Sequence, residues 1–247
     1  GTVAMSEPAL LATSGLTMRF GGVVAVDQVD FAVKAGELRC LIGPNGAGKS
    51  TFFKCLTGQL RPTAGSVVFA DQELRGATTH EIVRKGIGIK TQVPNLFDGL
   101  PARENIALSA LQNHSKKRSE EITDQMLELI AITALANRDV GHLAHGERQL
   151  VELAMVLAGQ PRLVLLDEPA AGMTAEERGR LANVLRELAG DMSLIVVEHD
   201  MQFIRDIATE ITVLHRGRVF LEGDVAEIMA HREVQEIYLG KEANGAA

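Results

Sequence analysis

The chain has 247 residues, 46% hydrophobic, 23% charged and 4% aromatic, with 24 Gly, 7 Pro and no Trp. This balance excludes a disordered, collagenous or disulfide-scaffolded chain, and the length suffices for one large domain with a real core. With 25 Lys and Arg against 32 Asp and Glu the net charge is −7, so a phosphate backbone is disfavoured as main partner and no nucleic acid is expected.

Residues 1–4, ahead of Met5, read as a non-native remnant. The N-terminus lacks the basic and then apolar stretch of a secretory signal. No run reaches the roughly 18 apolar residues of a membrane helix. A soluble cytoplasmic protein is the expectation, with Cys40 and Cys55 as buried free thiols.

From Leu10 to Cys40 the pattern predicts short β runs, Leu16–Phe20, Val23–Val26 and Val29–Val33. Leu38–Ile42 then leads through a glycine-rich turn into a helical pattern, Lys49–Thr57. Strand, turn and helix in that order suggest an α/β unit whose functional edge is the strand's carboxyl end. Gly65–Ala70 reads as another β piece. From about 95 to 160 the pattern turns helical, with stripes over Glu120–Ala131 and Glu147–Ala158; the polar run Asn113–Glu121 reads as a solvated loop within it. Leu163–Leu166 and Leu194–Val197 are near-continuous apolar runs, expected of parallel strands covered on both faces. Ala175–Ala189 reads as the crossover helix between them, and Ile211–Leu214 with Arg218–Leu221 as a closing meander. The expectation is one α/β domain with a helical insert.

Three motifs carry chemistry. Gly43-Pro44-Asn45-Gly46-Ala47-Gly48-Lys49-Ser50-Thr51 matches G-x-x-x-x-G-K-[ST], the P-loop pattern. A loop with little side-chain bulk lets N–H groups converge on a phosphate, and the following helix points its positive end there. Lys49 is expected to bridge the β- and γ-phosphates, and the Ser50 hydroxyl to ligate Mg²⁺. The strand Leu163–Leu166 delivers Asp167 and Glu168, suited to a Mg²⁺ role and to general-base work on water. Alone, this pair reads equally as a helix cap; beside a P-loop, catalysis is the expectation. Leu194–Val197 ends in Glu198-His199-Asp200, which places His199 at the same sheet edge, in reach of a γ-phosphate.

These residues resemble the ATP-binding subunit of an ABC transporter, over about Leu10 to Leu239. The resemblance implies ATP and Mg²⁺, and a P-loop NTPase core with an N-terminal antiparallel β subdomain and an inserted helical subdomain at about 95–160, together one domain over 6–240. It also implies an adenine-stacking aromatic, matched by Phe20, whose alternative is a core aromatic. The family's switch glutamine, which senses Mg²⁺ and the membrane domain, matches Gln92, and its switch histidine matches His199. The signature peptide, Leu-Ser-Gly-Gly-Gln or Glu, falls at Leu143-Ala144-His145-Gly146-Glu147. In the family it caps the γ-phosphate held by the opposite subunit. This chain departs at Ala144 and His145, and again after Pro169, where Ala170-Ala171-Gly172-Met173 replaces Ser-Ala-Leu-Asp.

Pro169–Met173, Pro94–Phe97, Glu198–Met201 and Val213–His215 narrow the likeness to cassettes serving branched-chain amino acid uptake, or to the urea and short-amide type, toward which His145 leans. The implied partners are membrane-spanning permease subunits, a second identical or homologous cassette and, indirectly, a periplasmic or extracellular solute-binding protein. The implied place is peripheral, on the cytoplasmic face of the membrane. DNA-repair ATPases with the same engine carry long coiled coils, and translation ATPases carry two cassettes per chain. A GTPase would need an Asn-Lys-x-Asp segment, which the sequence lacks.

Overall fold

The computed structural model describes residues 8–239, so the expected remnant at 1–4 and the outermost residues of the expected 6–240 domain lie outside the described residues. In chain order the elements are β1 (Ala9–Phe20), β2 (Val23–Lys34), β3 (Leu38–Ile42), α1 (Lys49–Leu56), β4 (Ala64–Phe69), β5 (Gln72–Glu73), α2 (Thr79–Arg84) and β6 (Ile87–Lys90). There follow α3 (Ala102–Leu111), α4 (Lys116–Leu129), α5 (His145–Ala158), β7 (Leu163–Asp167), α6 (Ala175–Leu188), β8 (Ser193–Val197) and α7 (Met201–Ile207). The last are β9 (Glu210–His215), β10 (Arg218–Asp224), α8 (Val225–Ala230) and α9 (Arg232–Leu239).

A six-stranded sheet runs β10-β9-β3-β8-β7-β6, parallel except for the β9–β10 pair. Its central strands are buried apart from the half-buried Asp167 at the end of β7, so their side chains alternate between two cores. Leu38, Cys40, Val164, Leu166, Leu194 and Val196 face one core with α3–α7. Leu41, Leu163, Leu165, Ile195 and Val197 face the other with α1 and the antiparallel sheet β2-β1-β4-β5. Both cysteines are buried free thiols. Burial pushes the Cys55 thiol up to about 11 and that of Cys40 further still, so neither ionises near neutral pH.

Several predicted elements change. The three short N-terminal runs are one long hairpin, β1 with β2, because its irregular positions are bulges rather than breaks. Gly15 (φ 55) and Gln28 (φ 50) take left-handed conformations, and side chains meet the displaced backbone. Gly15 N–H donates to Asp30 Oδ1 at 2.7 Å, and Gln28 N–H to Thr17 Oγ1 at 3.1 Å. The predicted loop Asn113–Glu121 is, from Lys116, the first turns of α4. Ser115 caps it by accepting the Arg118 N–H at 3.3 Å, and Ser119 is buried, donating to Ala107 O at 2.8 Å. A polar run is therefore helical surface with one buried hydroxyl. The helix α2, not predicted, is fixed by a capping box between Thr78 and Glu81.

Candidate active site

Strands β3, β6, β7 and β8 all end at one edge of the parallel sheet, and each delivers part of the site there. Beyond β3, residues 43–48 turn into α1, whose N-cap is Gly48 at φ 103 with no side-chain cap. The first N–H groups of α1 thus open onto the loop, as an anion cradle requires. The glycines are held by close packing: a Cβ at Gly43 would lie 2.5 Å from Leu214 O, and one at Gly48 2.5 Å from Ala25 O. Lys49 is buried, and its Nζ donates to Gly43 O, which aims the ammonium across the mouth of the loop. Asn45, Gly46 and Ser50 are exposed.

Asp167 ends β7 opposite Val197, and the Gln92 side chain hydrogen-bonds it. Burial, and then the negative charge of Glu168, raise the Asp167 carboxyl above its ordinary range, against opposing pulls from Gln92, Lys49 and Lys54. Glu168 has φ 46, a left-handed conformation unusual for a glutamate, and its N–H donates to Val197 O at 2.8 Å. That turn sends its carboxylate toward His199, whose Nδ1 lies 3.7 Å from Glu168 Oε1. His199 itself is exposed.

Glu198 is a residue the sequence reading passed over, since it stood only as a polar strand end. Its side chain is 1% exposed. It accepts the N–H groups of Ala170 at 3.0 Å, of His199 at 3.1 Å and of Asp200. One buried carboxylate therefore ties the loop after Pro169 to the backbone of His199. Burial raises its pKa, and the three N–H groups pull the other way.

Phe20 is 47% exposed at the tip of the β1–β2 hairpin, so the core-aromatic alternative does not describe it. The same hairpin brings the Ala25 carbonyl against Gly48 of the P-loop.

At the signature segment Ala144 is the N-cap of α5, and Leu143 precedes it, buried. Glu147 Oε2 accepts the Ala144 N–H at 2.9 Å, but alanine has no oxygen to return to the helix, so only half a capping box exists. The Gly146 N–H is bonded by Glu177, where a Cβ would collide with that carboxylate. His145 Nε2 sits 2.9 Å from Ala171 O, which assigns the ring proton to Nε2. The segment expected to serve the opposite subunit is therefore also tied in cis to the loop that follows the two acids.

The donor set fits ATP with Mg²⁺. Ser50, Asp167 and Gln92 would hold the ion together with phosphate oxygens. Among the described residues no three His, Cys, Asp or Glu side chains form a metal cluster of the protein's own. A separate groove of about 790 Å³ runs between α2, β6, the Gln92 loop, α3 and α5.

Residues 26–171 match the family described as ABC transporter. The chain is 35% identical to the high-affinity branched-chain amino acid transport ATP-binding protein BraF of Pseudomonas aeruginosa, over 96% of this chain and all of that protein. It is equally 35% identical, over the same shares, to LivG of Escherichia coli, a protein of the same description. Its fold matches an ATP-binding cassette of an ABC transporter solved in its ADP conformation, with TM-score 0.85 and 26% identity over 94% of this chain and 99% of that one. A Clostridium perfringens cassette from the cbiONQ transporter complex matches with TM-score 0.84 and 25% identity, over 96% and 98%.

Proposed function

The chain belongs to the ABC transporter family as an ATP-hydrolysing, ATP-binding subunit, and from that premise we propose that it powers uptake of branched-chain amino acids. The solute assignment rests on the two amino-acid relatives, which align over their whole length.

The observation that carries the mechanism is the convergence of Lys49, Asp167, Glu168 and His199 on one sheet edge. In this reading Phe20 stacks on adenine, the P-loop N–H groups and Lys49 hold the phosphates, and Ser50, Asp167 and Gln92 orient Mg²⁺. Held there, Mg²⁺ would supply positive charge to neutralise the phosphoryl oxygens. Glu168 accepts a proton from the attacking water. His199 stands beside it to donate toward the γ-phosphate. Residues 143–147 of a second cassette close over that phosphate, so two chains clamp two nucleotides. Membrane-spanning permease subunits carry the solute, and a solute-binding protein outside reaches this chain only through them. Among the described residues no helix is long and apolar enough to cross a membrane, which suits a peripheral subunit at the inner membrane face.

Two measurements test this. The purified chain should release phosphate from ATP only with Mg²⁺, and a chain that releases none overturns the reading. In cells carrying Lys49→Ala, uptake of labelled leucine should fall while urea uptake is unchanged. The reverse result moves the assignment to the urea type.

A further inference from the structure

Three segments of the nucleotide edge meet on one residue, Glu198. Its own N–H donates to Leu41 O on β3, the strand that feeds the P-loop, at 3.3 Å. Its Oε1 accepts the Ala170 N–H at 3.0 Å and its Oε2 the His199 N–H at 3.1 Å, and the Asp200 N–H bonds the same carboxylate. The side chain is 1% exposed, so any part it plays in the reaction passes through the residues it holds. Burying a carboxylate carries a desolvation cost that a neutral side chain would avoid. What the charge provides is grip, since hydrogen bonds to an ionised acceptor are roughly twice as strong as neutral ones and one carboxylate can take several.

The residues so gripped bracket the two groups that face the attacking water. Ala170 lies two positions after Glu168, and His199 is bonded directly. Glu168 occupies a left-handed turn, φ 46, a conformation that persists only where its surroundings over-determine it. Two bonds to the end of β8 do so, from Glu168 N–H to Val197 O at 2.8 Å and from Ala170 N–H to Glu198. Arg178 bridges the same two segments, donating to Met173 O at 3.4 Å and lying 3.5 Å from Asp200 Oδ2. The side chains of that ion pair are 38% and 29% exposed, so water screens it. Of the two bridges, Glu198 is the buried one and the one with the closer bonds.

We propose that Glu198 is a positioning residue for hydrolysis: one carboxylate, holding Ala170 and His199 together, sets the 3.7 Å separation of Glu168 Oε1 and His199 Nδ1. This rests on the roles given to Glu168 and His199 above. Losing the grip should slow the chemical step and spare ATP affinity, which the P-loop sets.

The test is single-turnover phosphate release by the whole chain with Mg²⁺ and saturating ATP, beside calorimetric affinity for a non-hydrolysable ATP analogue. Glu198→Gln keeps the length of the side chain but turns an NH₂ group against one set of N–H donors. Turnover should fall by about tenfold or more, since a misplacement of about 1 Å can cost roughly a hundredfold. Affinity for the analogue should stay within about twofold. Glu198→Asp keeps the charge and reaches the N–H groups of residues 199 and 200, but is a methylene short of Ala170, so it should recover part of the turnover. In a His199→Ala background, Glu198→Gln should cost no more than about twofold further, because its effect passes through the histidine. Melting curves check folding, and if Glu198→Gln does not fold, Glu198→Asp is read against the native chain, with turnover reduced and affinity kept. Native turnover in the folded variant, affinity falling in step with turnover, or the full loss repeated in the His199→Ala background overturns the proposal. A defective His199→Ala beside a normal Glu198→Gln overturns it alone, whereas native turnover in His199→Ala removes the histidine's role and the proposal with it.

Discussion

His199 Nδ1 stands 3.7 Å from Glu168 Oε1, across the carboxyl ends of adjacent strands β8 and β7. That spacing is wider than a hydrogen bond, so the carboxylate keeps its acceptor capacity for a water and the imidazole keeps its N–H donor capacity for phosphate. Replacing Glu168 with Gln retains the shape and removes the proton acceptor. ATP binding should stay within about twofold, and turnover should fall by 10²–10⁴, the usual worth of a general base. Single-turnover phosphate release checks it; wild-type turnover would move the base elsewhere.

Lys49→Ala removes the buried ammonium that closes over the P-loop. A charge-assisted contact contributes roughly 1.5–3 kcal/mol, so ATP affinity should fall tenfold or more. The fold should hold, since no bulk is added near the loop. Unchanged affinity by calorimetry would sink the phosphate assignment.

Ala144→Ser has two separable consequences. As N-cap of α5, the Ser hydroxyl can accept the Glu147 N–H and complete the capping box, adding about 0.5–2 kcal/mol to the nucleotide-free chain. In a Glu168→Gln background it can also donate to the opposite γ-phosphate, which His145, engaged with Ala171 O, does not do from its present position. Melting without nucleotide reads the first effect. Sedimentation with ATP and Mg²⁺ reads the second, with association expected to tighten about tenfold. A higher melting point with no gain in association would confine the effect to the cap.

Asp167 gives a pH dependence of definite sign. Its carboxyl titrates above the ordinary 3.8 in the folded chain, chiefly through burial. Between the ordinary and the raised value the folded state binds more protons than the unfolded one, so stability from this group is present at low pH and is lost as pH rises through the folded value. Asp167→Asn removes that loss. Urea unfolding of the nucleotide-free chain should show the variant gaining on the native protein from about pH 4 upward, and parallel pH profiles would refute the claim.

The candidate nucleotide site could be proposed from the sequence because its residues are local: nine consecutive residues match the P-loop pattern, and Asp167-Glu168 and His199 each follow an apolar run. The buried polar contacts were not. Glu198 gathers N–H groups from residues 28 positions away as well as from its neighbour, and Lys90 meets Gln149 across 59 positions. Nothing in the spacing of such residues announces the pairing. The β1–β2 hairpin was read as fragments because Gly and Asp interrupt its apolar runs; in the fold, Asp30 and Thr17 satisfy the left-handed backbone at Gly15 and Gln28. Thr78-Thr79-His80-Glu81 did carry a readable signal, a capping box for a helix too short to show a hydrophobic stripe.

The Ala25 carbonyl touches the space where side chains at both Gly48 and Gly217 would begin, at 2.5 and 2.7 Å. Gly217 N–H also donates to Ala47 O, and Asp27 N–H to Gly217 O, both at 2.8 Å. The P-loop is thereby wedged between the hairpin and the β9–β10 turn, its curvature moulded by neighbouring backbone rather than by an incoming phosphate. Such preorganisation spares nucleotide binding the cost of ordering the loop. It also means that Gly48→Ala would spread the two sheets as well as crowd the phosphate, making it a lesion of architecture. Gly46, with open space around its Cβ position, is the glycine at which a substitution strains the phosphate loop and leaves that seam intact.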